Sequence, residues 1–366
     1  MNGNQQLYLI ALTLIPGIGT HLTRSLIQAC GTPEEVFRSP RRILERIPGI
    51  GRERASWLLE KDLLKRAEKE LVFIEKHSIE VIPIGDPRYP KLLQTCSDAP
   101  FLLYFRGSMD HWPEKNLSIV GTRKATDQGK AITQEIVEDV RPYEPLIISG
   151  LAYGIDAAAH RAALTEGLPT LAVVGHGHDR IYPAAHRGLA EKIMENGGIL
   201  SEYPSGTIPD GGHFPARNRI VAGLANAVIV VEAAQKGGAL ITAEIANSYN
   251  REVFAVPGRI HDPFSEGCLD LIRTHRANLY QSARDLEYVL DWKPEEMPGA
   301  TQTQLFIHLS EDEKAIMNVL NEKGKMEVDL LGYEAGLSIS KLSGTLMNLE
   351  LNGMVKSYPG KVFGPC

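Results

Sequence analysis

Apolar positions recur at helical spacing in the first part of the chain. Leu7, Ile10 and Leu14 follow this spacing, and a similar apolar run begins at Leu58. Residues three and four apart lie on the same face of a helix, so such a pattern is typical of amphipathic helices. The pattern predicts a small helical domain over residues 1–85.

Two turns in this helical domain have the same sequence, Ile-Pro-Gly-Ile-Gly, at residues 15–19 and 47–51. Glycines allow the chain to turn tightly, and this Gly-hydrophobic-Gly pattern occurs in helix-hairpin-helix modules. The helix that follows such a turn has free backbone N–H groups that can hold a DNA phosphate. A short packing turn would have the same sequence, so the pattern leaves both interpretations open.

The pattern changes along the middle of the chain. Residues 86–115 are predicted to be an irregular segment that packs on the next domain. Short apolar runs then alternate with helical patterns; these runs are 117–120, 146–149, 170–174, 199–201, 227–231 and 252–256. Continuous apolar strands separated by helices are typical of a buried, mostly parallel sheet. The predicted fold class is therefore α/β, with a Rossmann-like, doubly wound domain over residues 86–290.

The last part of the chain is predicted to be a separate small domain. Residues 291–309 are rich in proline, glycine and polar side chains, as expected of a linker. Ser310 begins a capping-box-like helix start, and two more helices are expected around 327–335 and 338–352. Gly353 is a candidate helix C-cap, and residues 354–363 have the pattern of a β-hairpin. Three helices and a β-wing predict a winged-helix domain over residues 310–366.

Composition and charge restrict the function. The formal net charge is -6, so binding to nucleic acid would need a local basic patch instead of a global positive field. The four cysteines are widely separated, which disfavours a disulfide framework or a structural zinc site. We see neither a secretory signal nor an apolar stretch of about 18 residues, so we expect a cytoplasmic protein without a membrane segment.

Glycine-rich turns follow the predicted strands. In a doubly wound sheet, ligands bind beyond the carboxyl ends of the strands, where helix N-termini can hold phosphates. The first two turns supply the candidate residues Gly121, Thr122, Arg123, Ser149 and Gly150. An ordinary turn between a strand and a helix, with a solvated arginine, would have the same sequence pattern. In the second turn Asp156 is expected to cap the next helix, and a hydrogen bond to His160 that braces the loop is favoured over acid–base catalysis.

A predicted helix start with an aromatic residue carries the next candidates, which are Phe214, Arg217, Asn218 and Arg219. Arginines neutralise backbone phosphates, and an aromatic ring stacks on a base of any identity. The alternative is that Phe214 belongs to the core and that Arg219 pairs with a local acid such as Glu232. Glu232 is expected to hold one of the two arginines or to contact a base or sugar.

One more strand end completes the candidate site. Lys236, Gly238 and Thr242 follow a predicted strand and begin the next helix. His176, His178 and His186 suggest a metal site, but their spacing does not place three ligands on one regular element. The sequence therefore predicts no metal and no cofactor.

Taken together, these motifs resemble the DprA/Smf family. The resemblance rests on Gly-Thr-Arg at 121–123, Ser-Gly-x-Ala-x-Gly-Ile-Asp at 149–156, Tyr-Pro at 182–183, Phe-Pro-x-Arg-Asn-Arg at 214–219 and Ala-Val-Pro-Gly at 255–258. It implies a SAM-like domain in front of the sheet and a winged helix behind it. The candidate residues named above lie on or beside the family's pocket motifs. Gly237 stands where the family usually has serine, and Leu269 where it often has asparagine.

The resemblance also implies a function. The family binds single-stranded DNA in a basic pocket, forms homodimers through the Rossmann-like domain and hands the strand to RecA in natural transformation. We therefore expect single-stranded DNA, RecA and a second copy of the chain as partners, and no enzymatic activity.

The alternative function is enzymatic. Residues 236–244 come near the Pro-Gly-Gly-x-Gly-Thr-x-x-Glu motif of LOG-like nucleoside-monophosphate phosphoribohydrolases, but two spacings differ by one residue. Similarity of fold alone does not transfer an activity. A dinucleotide-dependent oxidoreductase is disfavoured because G-x-G-x-x-G does not follow the first predicted strand of the sheet.

Overall fold

The computed structural model describes residues 3–294, 310–351, 354–358 and 360–365. The chain divides into two compact units, Met1–Glu295 and Glu296–Cys366. The first unit holds both the helical segment and the large sheet. From residue 295 onwards, the predicted linker lies outside the described residues.

The first unit begins with helices whose apolar core also includes residues of the first two strands of the chain. The helices are α1 Gly3–Thr13, α2 Thr20–Cys30, α3 Pro33–Arg38, α4 Arg41–Leu44, α5 Gly51–Leu58 and α6 Lys61–Lys76. α3 shows why the sequence forms a helix here: the Thr32 side chain accepts from the Glu35 amide, and Pro33 occupies the first turn. Ile10 and Leu26 are fully buried in this core.

The two Ile-Pro-Gly-Ile-Gly turns both pack against other parts of the first unit. Both need glycine, since φ is +71° at Gly17 and +84° at Gly49. Directly after the first turn, the Thr20 hydroxyl donates to the Ala99 carbonyl at 2.6 Å, so α2 begins against the segment that leads into the sheet. Both turns expose their proline and first glycine, and a Cβ on Gly49 of the second turn would meet the Leu22 side chain of α2. Both turns thus pack within the first unit, and phosphate binding by either of them stays a prediction.

The large sheet contains nine strands in the order β1-β2-β6-β5-β4-β3-β7-β8-β9. The strands are β1 Glu80–Pro83, β2 Leu102–Gly107, β3 Asn116–Val120, β4 Leu146–Ser149, β5 Thr170–Val174, β6 Gly197–Ser201, β7 Ala227–Val230, β8 Glu252–Ala255 and β9 Asn278–Leu279. From β6 to β9 all pairs are parallel. The predicted Rossmann-like α/β fold is confirmed, and the six predicted strands are found within two residues of their predicted bounds.

The prediction of an irregular segment over 86–115 was wrong. This stretch contains β2, whose first four residues are buried, and β2 pairs antiparallel with both β1 and β6. β1 itself lies before residue 85, so the sheet starts inside the segment that was predicted to be helical. The apolar run at 101–105 resembles the six recognised runs, but the prolines and turn residues before it favoured an irregular segment.

Helices cover both faces of the sheet. They are α7 Lys91–Gln94, α8 Asp127–Asp139, α9 Ile155–Thr165, α10 Arg187–Glu195, α11 His213–Leu224, α12 Gly238–Ser248, α13 Glu266–Arg273 and α14 Ala283–Leu290. Since β4, β3 and β7 are neighbours and parallel, their carboxyl ends lie side by side. This arrangement brings together turns that are far apart in the sequence.

A histidine of α9, His160, is fully buried and has a defined proton position. Its Nδ1 lies 2.7 Å from the Thr170 hydroxyl, which donates its own proton to the Ile147 carbonyl. Nδ1 must therefore be the donor, and Nε2 is left without a proton or a partner. The predicted Asp156–His160 hydrogen bond was wrong, because neither ring nitrogen contacts Asp156.

This histidine makes stability depend on pH. Burial lowers the pKa of His160 from 6.5 to about 3. Between these values the unfolded chain binds the proton and the folded chain does not, so stability is lost as the pH falls below 6.5. We expect this residue to remove up to about 1.4 kcal/mol of unfolding free energy per pH unit.

Urea titrations of the unaltered chain and His160→Gln, from about pH 7 to about pH 5, measure this contribution. The variant should show a shallower dependence of unfolding free energy on pH, by close to one proton. Equal slopes would show that His160 does not titrate between the folded and unfolded states.

The second unit has the predicted winged-helix pattern. Its elements are α15 Glu311–Lys323, β10 Met326–Glu327, α16 Val328–Glu334, α17 Ile339–Leu351, β11 Val355–Tyr358 and β12 Val362–Pro365. The predicted capping box is present, with Ser310 and Glu313 bonding each other's backbone amides. The predicted C-cap, Gly353, lies outside the described residues. Throughout the described parts of both units, helices long and apolar enough to cross a membrane are absent.

Candidate nucleic-acid interface

An open cavity of about 520 Å³ lies where the carboxyl ends of β3, β4 and β7 meet the N-terminal turns of α11 and α12. Most of the candidate residues line it, namely Gly121, Thr122, Arg123, Gly150, Phe214, Arg217, Asn218, Lys236, Gly238 and Thr242. The structure thus brings together turns that are separated by more than a hundred residues in the chain.

Two candidate residues do not line the cavity. Ser149 is fully buried at the end of β4, and its hydroxyl donates to the Ile119 carbonyl at 2.7 Å. Arg219 forms an ion pair with Glu202 and donates to the Asp98 carbonyl. Its predicted place in the site was therefore wrong.

The geometry of α11 explains why Arg219 does not line the cavity. Successive residues are rotated by about 100° around a helix, so Arg217 and Arg219 face nearly opposite sides of α11. Arg217 and Asn218 follow Phe214 by three and four residues and share with it the face that lines the cavity. The sequence already contained this information, since spacing within one helix decides which side chains can meet.

Arg217 lies at the bottom of the cavity and is 5% exposed. Its Nη1 donates to the Val173 carbonyl at 2.6 Å, whereas its buried Nε has no hydrogen-bond partner. Burial lowers the pKa of the guanidinium, and the charge of nearby Asp156 opposes that effect. The cavity therefore contains a buried cation with an unused donor.

The turn that follows β4 lies against Arg217 and is held in place by Asp156. Asp156 lies in the first turn of α9, and its carboxylate accepts from the backbone amides of Gly150 and Ala152 at 3.1 and 3.3 Å. It braces the preceding loop, although it was expected to cap the helix, where the N-cap residue is Gly154. Burial raises the pKa of Asp156, with the Arg217 charge acting against the rise.

Arg123 and Phe214 form the mouth of the cavity. The Arg123 guanidinium lies over the Phe214 ring, 5.1 Å from its centroid, at a distance typical of a cation–π contact. Arg123 is exposed and Phe214 is half-buried. A charge and an aromatic ring are thus presented together to a ligand.

The N-terminal turn of α12 forms another wall of the cavity. The Gly238 carbonyl accepts from Thr242 Oγ1 at 3.0 Å and from Asn218 Nδ2 at 3.2 Å. The Asn218 bond ties α11 to α12. The Thr242 bond lies within α12 and uses the hydroxyl proton inside the protein. Lys236, just before the helix, is exposed.

Glu232 has a different partner from the expected arginines. Its carboxylate accepts from the backbone amide of Thr126 at 3.0 Å and from the Thr126 hydroxyl at 2.5 Å. Glu232 therefore fixes the start of α8. The prediction that it holds Arg217 or Arg219 was wrong, because the turns after β3 and β7 lie side by side.

The three histidines considered as metal ligands have separate environments. His178 Nε2 bonds to the Tyr104 carbonyl and His186 Nδ1 to the Leu151 carbonyl, both at 2.9 Å. Within the ranges that the structure describes, groups of three or more His, Cys, Asp or Glu side chains suited to hold a metal ion are absent.

Sequence reasoning missed some residues of the cavity wall. Gly211 and Ile241 line it, and Ile241 is 40% exposed. Ile241 was detectable in principle, because it follows Gly238 by three residues and shares its helix face. Gly211 lies in a loop, and no periodicity marks such a position.

Comparison with known proteins assigns the family. Residues 80–291 match the family model described as DNA recombination-mediator protein A. The chain belongs to this family. Residues 300–361 match the model of the DprA winged helix domain.

Relatives support the family assignment along nearly the whole chain. Protein Smf of Synechocystis sp. is 33% identical over 396 residues, covering 98% of each chain. DNA processing protein DprA of Streptococcus pneumoniae is 44% identical over 203 residues, or 56% of this chain and 71% of the relative.

Solved structures of two family members have a similar fold. DNA processing protein A of Streptococcus pneumoniae aligns with a TM-score of 0.65 at 34% identity, covering 79% of this chain and 98% of that one. The Helicobacter pylori protein aligns with a TM-score of 0.53 at 29% identity, covering 59% and 97%. That structure is described as revealing a unique single-stranded DNA binding mode.

Proposed function

We propose that the cavity between β3, β4, β7, α11 and α12 binds single-stranded DNA. The observation that carries the proposal is the Arg123–Phe214 pair at the mouth of a cavity that also holds Arg217 and Lys236. Basic groups bind backbone phosphates, and an aromatic ring stacks on an unpaired base. The single-stranded DNA binding described for the Helicobacter pylori relative supports the proposal.

The proposed contacts imply tolerance of DNA sequence. Phosphates are the same in every sequence, and every base has an aromatic face. Affinity should therefore fall steeply with salt and vary little between mixed sequences.

Anisotropy measurements with labelled single strand, duplex and mononucleotide, each at several salt concentrations, test the proposal. We expect the single strand to bind best. Equal affinity for all three, or a salt-independent affinity, would contradict the proposed site.

The alternative enzymatic function has less support. The acid that a phosphoribohydrolase motif would place at the site, Glu244, forms an ion pair with Arg276 at 3.2 Å and does not line the cavity. Release of ribose 5-phosphate from AMP, abolished by Glu244→Gln, would support the enzyme instead.

The wider role follows from the family resemblance. We propose that the chain acts in the cytoplasm as a homodimer, protects incoming DNA and loads RecA onto it in natural transformation or recombination. Pull-down of RecA by the chain bound to single-stranded DNA, compared with the free chain, tests the RecA contact.

The winged helix is expected to contribute little to binding of single strands. Residues 310–366 contain no arginine, and their acids outnumber their lysines. The predicted helix over 338–352 is the one expected to read DNA in a winged-helix domain. Lys341 is the only base of this helix, and it is paired with Asp312 at 3.2 Å. Deleting residues 300–366 should leave the Kd for single-stranded DNA largely unchanged at matched salt. A loss of about tenfold or more, ~1.4 kcal/mol, with the remaining fold intact by circular dichroism, would show that this domain holds DNA.

A further inference from the structure

Tyr182 carries exposed aromatic surface beside the proposed DNA site. Its ring centroid lies 5.8 Å from that of Phe214, with an angle of 33° between the planes. Tyr182 is 47% exposed, whereas Phe214 is half-buried. Tyr182 lies in the segment between β5 and α10, whereas the β7 and α12 residues of the cavity come after Phe214 in the sequence. Tyr182 does not line the cavity itself.

We propose that Tyr182 is a second base-stacking position, which extends the strand's path from the cavity onto the adjoining surface. The ligand is an unpaired nucleobase of the same single strand that the cavity holds. This inference rests on the proposed function.

The distance between the two rings determines how bases can use them. Centroids 5.8 Å apart are within the range of about 4.5–7 Å for rings in direct contact. A base therefore does not fit between Tyr182 and Phe214 as they stand. Bases must stack on ring surface that remains open, and Tyr182 offers more of it than Phe214.

The contact between Arg123 and Phe214 also supports a second stacking position. The guanidinium already covers part of the Phe214 ring. Arg123 is thus placed to hold a phosphate next to the base that Phe214 contacts. The following base then needs another surface, and the Tyr182 ring is in contact with Phe214.

A buried histidine holds the backbone of Tyr182 in place. The Tyr182 amide donates to His176 Nε2 at 3.3 Å, and His176 Nδ1 lies 2.9 Å from the Gly177 carbonyl. A carbonyl oxygen can only accept, so Nδ1 carries the proton and Nε2 is free to accept. His176 is 1% exposed, and burial lowers its pKa, which favours this neutral form.

A fixed backbone is what a stacking platform requires. A residue that is ordered before binding loses less conformational entropy when the ligand arrives. The His176 contact restricts the backbone at Tyr182, while its ring stays open to solvent. This combination distinguishes Tyr182 from a tyrosine that is merely exposed.

The dependence of affinity on strand length tests the proposal. Single strands of about 4 and about 16 nucleotides span the range of sites known for similar binding. Tyr182→Ala should weaken binding of the longer strand about fivefold or more and affect the shorter strand less, since only the longer one reaches beyond Phe214. Tyr182→Phe should bind as the unaltered chain does, because it keeps the ring. Tyr288→Ala is the matched control, since Tyr288 is 92% exposed on α14.

A second measurement uses the unaltered chain and does not depend on the folding of a variant. Ultraviolet crosslinking of a strand that carries 5-iododeoxyuridine should attach a base to Tyr182, as mapped by mass spectrometry. This inference would be overturned if Tyr182→Ala bound both strands normally and the crosslinks lay elsewhere. If Arg123→Ala still bound single strands weakly, the proposed function would stand. Failure of the unaltered chain to bind either strand would overturn both.

Discussion

Arg123→Ala is expected to weaken binding of single-stranded DNA by about 10- to 150-fold, with little loss of stability. A hydrogen bond to a charged group is worth roughly 1.5–3 kcal/mol, which corresponds to that range. Arg123 is exposed at the mouth of the cavity, and its contact there is with the Phe214 ring. Its removal thus takes away a phosphate ligand without opening the core.

The neighbouring residue provides a matched control for this variant. Lys124 is also exposed and carries the same charge, but it does not line the cavity. Lys124→Ala should have a much smaller effect on the Kd in the same anisotropy assay. Equal losses in the two variants would indicate a general effect of charge, and an unchanged Kd for Arg123→Ala at low salt would exclude Arg123 from the site.

Gly150→Ala is expected to lower both DNA affinity and stability. A Cβ on Gly150 would overlap the guanidinium of Arg217, so the arginine must move away from the Val173 carbonyl. Such overpacking costs typically 1–3 kcal/mol. Displacing the buried cation should also reduce affinity by about tenfold or more, if one charge-assisted contact of roughly 1.5 kcal/mol is lost.

A second glycine, Gly188 in α10, controls for the change from glycine to alanine. An added Cβ there meets no atom within 4 Å. Gly188→Ala should leave DNA binding unchanged and raise helix stability by about 0.5–1 kcal/mol. Thermal melts and anisotropy on both variants provide the comparison. Wild-type affinity in Gly150→Ala would mean that the position of Arg217 does not matter for DNA.

The sequence alone determined the class of the fold and most of the cavity. Buried parallel strands appear as continuous apolar runs, and the turns at their carboxyl ends hold the polar residues, so the positions of Arg123 and Lys236 followed from pattern. Phe214 and Arg217 followed from a predicted helix start that carries an aromatic residue and arginines, and the family motifs include both. Helical spacing within α11 would also have separated Arg219 from Arg217, had it been applied to that pair.

Only the tertiary structure decided which distant segments meet. β2 joins the sheet through β6, Glu232 binds Thr126, and Arg219 pairs with Glu202. The two side-chain contacts are each a choice among several possible partners: a carboxylate accepts from either a threonine or an arginine, and an arginine pairs with any nearby acid. Local sequence specifies what a side chain can bind, whereas the packing of strands and helices specifies what lies within reach. For the same reason the contact between Tyr182 and Phe214 became visible only in the folded chain.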